Sequence, residues 1–132
     1  MSKPLPSMDA WLAEAKAAPD AEQCGMYLCH NGVVRLTPKA QVRQGETGLP
    51  EVDHIEFSYD AEGVEAAIAE TLKMDGIYHV RVWLNEGVVN VGDSIMFVLI
   101  GGDIRPRVID ALQSLVGTIK NELVVEKEIY VD

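Results

Sequence analysis

Six consecutive apolar residues, Ile95-Met96-Phe97-Val98-Leu99-Ile100, constrain this chain more than any other feature. A strand points alternate side chains to opposite faces, so an unbroken apolar run has to be covered on both sides. The run therefore predicts a central strand, which Gly101-Gly102-Asp103 breaks. The rest of the chain must supply the covers. Ser7 can cap a helix to about residue 17, with Trp11, Leu12 and Ala15 on one face. Asp60 can cap a second, in which Val64, Ile68 and Leu72 recur every four residues until Asp75-Gly76. Asp103 can cap a third, with Pro106 in its first turn and Val108, Leu112, Leu115, Val116, Ile119 and Leu123 as its buried stripe.

Between them lie shorter strand patterns. Residues 24–30 read as a strand closed by an Asn31-Gly32 turn before Val33-Val34. Val52, Ile55, Phe57 and Tyr59 mark another, residues 78–84 alternate, residues 88–91 sit between two Gly-containing turns, and residues 124–131 close the chain. Residues 36–50 hold two prolines and two glycines and read as a long mobile loop, whose Lys39 and Arg43 are solvated charges that can join a site when the loop orders. The order of helix, strands, helix, strands, helix, strand predicts an α+β fold, a mixed or antiparallel sheet with flanking helices. The 132 residues fit one domain, 1–132, with residues 1–23 as an N-terminal helical extension.

Charge narrows the function. With 11 basic against 21 acidic residues, the formal net charge is -10. Nucleic acid and anionic membranes both require clustered Lys and Arg, so neither is a partner. Any anion site must be local, because the overall field repels anions. No apolar run reaches the roughly 18 residues of a membrane span, and residues 1–6 lack a signal-peptide pattern, so the cytoplasm is the expected compartment. Cys24 and Cys29, an odd number of positions apart on one apparent strand, should face opposite ways and stay unpaired. His30, His54 and His79 fall on three different strands, which gives no metal site. No phosphate-cradling glycine motif occurs, and no cofactor is implied.

Against that acidic background, four cations sit at element boundaries: Arg35, Arg105, Lys120 and Lys127. Arg105 and Gly101-Gly102-Asp103 meet at a helix start, where free N–H groups favour an anion unless Asp103 already serves as the cap. Lys120 falls in the last turn of that helix, where any cation complements the dipole. Lys127 alternates with Val125, Ile129 and Val131. It is either an edge-strand lysine or a desolvated amine fit for acid–base or nucleophilic work. His30, beside the Asn-Gly pair and near Arg35, is the one histidine placed in a site.

These residues carry a family resemblance. Over about residues 25–128 the chain resembles the large, catalytic subunit of molybdopterin synthase. The anchors are Gly25, then Gly32-Val33-Val34-Arg35, the stretch Gly87-Val88-Val89-Asn90-Val91-Gly92-Asp93, Arg105, and the seven-residue spacing from Lys120 to Lys127. The resemblance implies an α/β-hammerhead-like fold and a role in molybdenum cofactor biosynthesis. Sulfur would pass from the thiocarboxylated C-terminal glycine of a small ubiquitin-like subunit to cyclic pyranopterin monophosphate, giving the dithiolene of molybdopterin. It also implies a homodimer with one small subunit at each end. By carry-over, Arg35 and Arg105, with His30, bind substrate, and Lys120 and Lys127 line the reaction chamber.

The chain also departs from the family pattern. Ile104 stands where members have histidine, His30 where they have an aromatic, and Val124-Val125-Glu126 where they have Pro-x-Trp. Members also carry a longer tail past the position of Asp132. These departures keep a second reading open: a non-catalytic relative that binds a pterin or a ubiquitin-like partner as a regulatory or scaffold module.

Overall fold

The computed structural model describes residues 3–131. Its central strand is the one the apolar run predicts. Strand β5, Ser94–Gly102, is buried at every position after Ser94. It lies between β1, Met26–Val33, and β3, Ile77–Leu84, antiparallel to both. One face of this sheet is covered by helix α1, Met8–Lys16, through Trp11, Ala15, Phe97 and Leu99. Trp11 and Trp83 both meet Phe97 edge-on, at centroid distances of 6.1 and 5.6 Å. Helix α1 is thus one of the two covers that β5 requires.

The other face joins the main core. A second antiparallel sheet, in the order β4 (Gly87–Asn90), β2 (Val52–Tyr59), β6 (Val124–Tyr130), turns Val52, Ile55, Phe57 and Val89 inward. Helix α3, Ala61–Leu72, contributes Val64, and helix α4, Arg105–Thr118, contributes Val108, Ala111 and Leu115. Fully burying an aliphatic side chain of this kind is worth about 1.5–3 kcal/mol. The fold is α+β, as expected, with all strand pairs antiparallel and divided between two sheets. Among the described residues no helix is long and apolar enough to cross a membrane.

Several local expectations are corrected. The Asn31-Gly32 pair is not a turn: β1 runs through it, with Asn31 opposite Phe97 and Gly32 opposite Met96, and the register slips only between Gly32 and Val33. Gly101-Gly102 does not break β5 but continues it, paired on both sides. The glycines are there for space. A Cβ on Gly101 would come within 2.6 Å of the Tyr27 ring, and one on Gly102 within 2.6 Å of Val108 and 2.7 Å of the Gly76 carbonyl. Asp103 is not the helix cap, a position held by Ile104. Its carboxylate accepts from the Ile104 N–H at 2.7 Å and pairs with Arg107 at 2.7 Å. Cys24 precedes β1, so strand alternation does not apply to it, although both cysteines are free thiols.

Residues 36–50 are not structureless. Helix α2, Lys39–Gln44, starts after Pro38 and stops at Gly45, whose φ of 71° suits glycine. No residue of α2 is buried. The helix is held instead by polar contacts from Lys39 to β6.

Candidate functional site

The end of β1, helix α2, β6 and the turn between α4 and β6 enclose a cavity of about 140 Å³, which adjoins a second lobe of about 220 Å³. Arg35, Lys39, Arg43 and Lys120 all line the first lobe, with Glu126 and Glu128 as its acidic residues. Four cations facing two carboxylates make a local positive field in a chain of net charge -10.

Each side chain arrives for a structural reason. Arg35 follows β1 directly, after buried Val34 anchors the chain. Lys39 and Arg43 are four apart in α2 and so share a helix face. Lys120 lies in a wide π-type turn, Ile119–Leu123, that interrupts the regular hydrogen-bond ladder after α4. Ile119, fully buried, fixes that turn to the core. Glu126 and Glu128 point inward from β6, while Val125 and Lys127 point outward.

The electrostatics favour an anion and an amine that gives up its proton easily. Lys120 keeps contact with solvent as a residue, yet its amine titrates below the usual lysine range. Burial lowers it, Glu126 opposes, and Arg43, Arg35 and Lys39 lower it further. His30 also lines the cavity, and its Nε2 is buried without a hydrogen-bond partner. Burial and then the Lys120 charge push the imidazole below 6.5. A neutral imidazole with a free ring nitrogen can bind a ligand or carry a proton.

The His30 shift has a consequence for stability. Protonation is harder in the folded chain than in the unfolded one, so the fold is stabilised above the unfolded value of 6.5 and loses that contribution as pH falls through the lower folded value. His79, buried and unpartnered in the same way, acts with the same sign. Stability should therefore drop between about pH 7 and about pH 5, and His30→Phe should flatten part of that slope. Denaturant melts at the two pH values check it; an unchanged slope in His30→Phe would show that His30 does not contribute.

The other predicted site residues lie elsewhere in one chain. Lys127 is exposed on the outer face of the β4-β2-β6 sheet, directly across from Glu56. Arg105 opens α4 in a separate cleft with Gly25, Met26 and Ile104. His54 is bound to Asp53 at 2.8 Å. Among the described residues no cluster of His, Cys, Asp and Glu could hold a metal ion. Burial, and then Asp9, raise the Cys29 thiol, so it is not an activated thiolate.

The MoaE protein family model matches residues 6–122. The chain belongs to the MoaE family. The match takes in His30, Arg35, Arg105 and Lys120 and stops ahead of β6, so Lys127 lies outside it. As a MoaE protein, the chain functions in molybdenum cofactor biosynthesis as a molybdopterin synthase subunit, in line with the resemblance of its motifs.

No curated protein matches the chain. Solved structures match its fold. The molybdopterin biosynthesis MoaE protein from Burkholderia ambifaria is 18% identical with a TM-score of 0.71, over 98% of this chain and 83% of that one. A molybdopterin synthase structure from Staphylococcus aureus is 17% identical with a TM-score of 0.68, over 84% and 78%. A complex of subunits 1 and 2 of molybdopterin-converting factor from Helicobacter pylori is 15% identical with a TM-score of 0.65, over 95% and 81%.

Glu126 and Glu128 were missed in the sequence. The apolar residues Val125, Ile129 and Val131 suggested that the odd positions of β6 face the core. Residues 124, 126 and 128 face inward instead, and Glu126 and Glu128 enter the cavity, where carboxylates meet cations. Helix α2 did leave a signal: Pro38 and Gly45 punctuate its two ends.

Proposed function

We propose that this MoaE protein is the catalytic subunit of a sulfurtransferase. It takes sulfur from the thiocarboxylated C-terminal glycine of a small ubiquitin-like subunit and places it, in two rounds, on cyclic pyranopterin monophosphate to form the dithiolene. The observation that carries this reading is the convergence of Arg35, Lys120 and His30 on one cationic cavity in a MoaE-family chain. Arg35 is suited to hold a phosphate through its fixed fork of donors. Lys120 can be protonated while it stabilises developing oxyanions, and it can accept a proton once they collapse. His30 lines the same cavity, and its buried Nε2 has no hydrogen-bond partner among the described residues.

The partner reading rests on the Helicobacter pylori relative, whose structure is a complex of two subunits. Arg105 and Lys127 do not reach the cavity of their own chain, so their carried-over roles require a second copy, in keeping with a homodimer. The reaction is placed in the cytoplasm, in keeping with the free thiols Cys24 and Cys29.

The direct test is to incubate the protein with a thiocarboxylated small subunit and cyclic pyranopterin monophosphate. Dithiolene product with turnover is the expected result. Binding of both partners without product would instead assign the chain to a non-catalytic binding role.

A further inference from the structure

The interior of the cavity holds a competition that the family reading does not use. Glu126 is largely buried, its side chain 18% exposed, and it faces two lysines. Lys39 holds its carboxylate at 2.6 Å, whereas Lys120 makes no ion pair among the described residues. Lys39 belongs to α2, which buries no residue of its own. The helix is tied to β6 by this ion pair and by the Lys39 N–H, which donates to Glu128 at 2.9 Å. Glu128 in turn accepts from the Tyr130 hydroxyl at 2.9 Å. A helix attached mainly through carboxylates is released when they find another cation, and one such cation lines the same cavity.

We propose that Glu126 is a positioning residue for which Lys39 and Lys120 compete, so that seating α2 over the cavity frees the Lys120 amine to act. With α2 seated, Lys39 takes the carboxylate at ion-pair distance; Glu126 still acts on Lys120, but burial together with Arg43, Arg35 and Lys39 outweighs it and favours the neutral amine. With α2 displaced, Lys39 leaves and the Glu126 carboxylate turns to Lys120, which holds it as an ammonium. Closing the cavity and activating the amine become one event. The other charged or titratable groups facing this space are His30 from β1, Arg35 after it, Arg43 from α2 and Glu128 from β6. Of these only Arg43 moves with α2, and its departure raises Lys120 in the same direction. The inference rests on Lys120 being the working amine of the proposed function.

A double-mutant cycle on the free protein tests it. The lysine ε-carbons are labelled with 13C, and the Lys120 signal is assigned through Lys120→Arg. Its titration is then followed in the wild type, Lys39→Met, Glu126→Gln and the double variant, with Lys39→Gln as a second replacement. Lys39→Met should raise the Lys120 midpoint. The rise should exceed that seen in the Glu126→Gln background by about one pH unit, the size expected for a carboxylate newly placed beside the amine. Glu126→Gln alone should lower the midpoint and speed amide exchange across α2. Equal shifts in the two backgrounds would show simple loss of a neighbouring charge and overturn the proposal. The measurement needs neither partner nor substrate. A failed sulfur-transfer assay would therefore count against the proposed function and leave the competition for Glu126 standing.

Discussion

Replacing Lys120 by alanine should lower sulfur transfer by about 10²–10⁴-fold, the usual contribution of a positioned acid–base group, while the chain remains folded. The fold should survive because Lys120 is exposed as a residue and makes no ion pair among the described residues. Surface changes of this kind usually cost within about 0.5 kcal/mol. Lys120→Arg separates charge from proton transfer. A guanidinium keeps the positive field but does not deprotonate, so it should preserve substrate binding and leave kcat low. A wild-type kcat in Lys120→Ala, measured with a competent thiocarboxylated partner, would remove Lys120 from the chemistry. Lys127→Ala is the companion measurement. The carried-over role requires a fall in turnover with partner binding retained, and an unchanged rate would assign Lys127 to its edge strand opposite Glu56.

What the sequence disclosed, and what it hid, follows from the range of the interactions involved. The apolar run at residues 95–100 and the helix caps at Ser7 and Asp60 are set by neighbours a few residues away, and the structure has them where the pattern puts them. Asn31-Gly32 and Gly101-Gly102 carry strong local turn signals, yet both lie within strands. Tertiary pairing overrides propensity there, because β1 and β5 bond along their full lengths and Gly101 and Gly102 leave room for Tyr27 and Val108.

The cavity shows the same division. Arg35, Lys120 and His30 are separated by up to ninety positions in the chain, and the residues nearest each of them say nothing about their meeting. Their place at element boundaries in an acidic chain singled out Arg35 and Lys120, the family resemblance gave them roles, and an imidazole near Arg35 suggested His30. Glu126 escaped because its face of β6 depends on register against β2, where it lies opposite buried Phe57. A one-residue change of register moves every side chain to the other face, and the apolar pattern of an edge strand is too weak to fix it.

Ile119→Ala should be among the most damaging substitutions away from the charged groups, costing about 2–5 kcal/mol in a denaturant titration. Ile119 is fully buried in the main core, and it is the first residue of the turn that carries Lys120. Truncation removes buried methyl and methylene groups and leaves a void that the surrounding core side chains can fill only in part. Ile119→Val removes a single methylene and should cost about 0.5–1.5 kcal/mol, which sets the scale against which the alanine variant is read. The position also links packing to chemistry. A single π-type turn is held by only a few i→i+5 hydrogen bonds, so its direction also depends on the anchor beneath it. Folded Ile119→Ala protein should accordingly lose more sulfur-transfer rate than its unfolded fraction explains, with the excess appearing in kcat. An alanine cost below about 1 kcal/mol would mean that the site collapses around the smaller side chain, and Ile119 would then not be what holds Lys120 in the cavity.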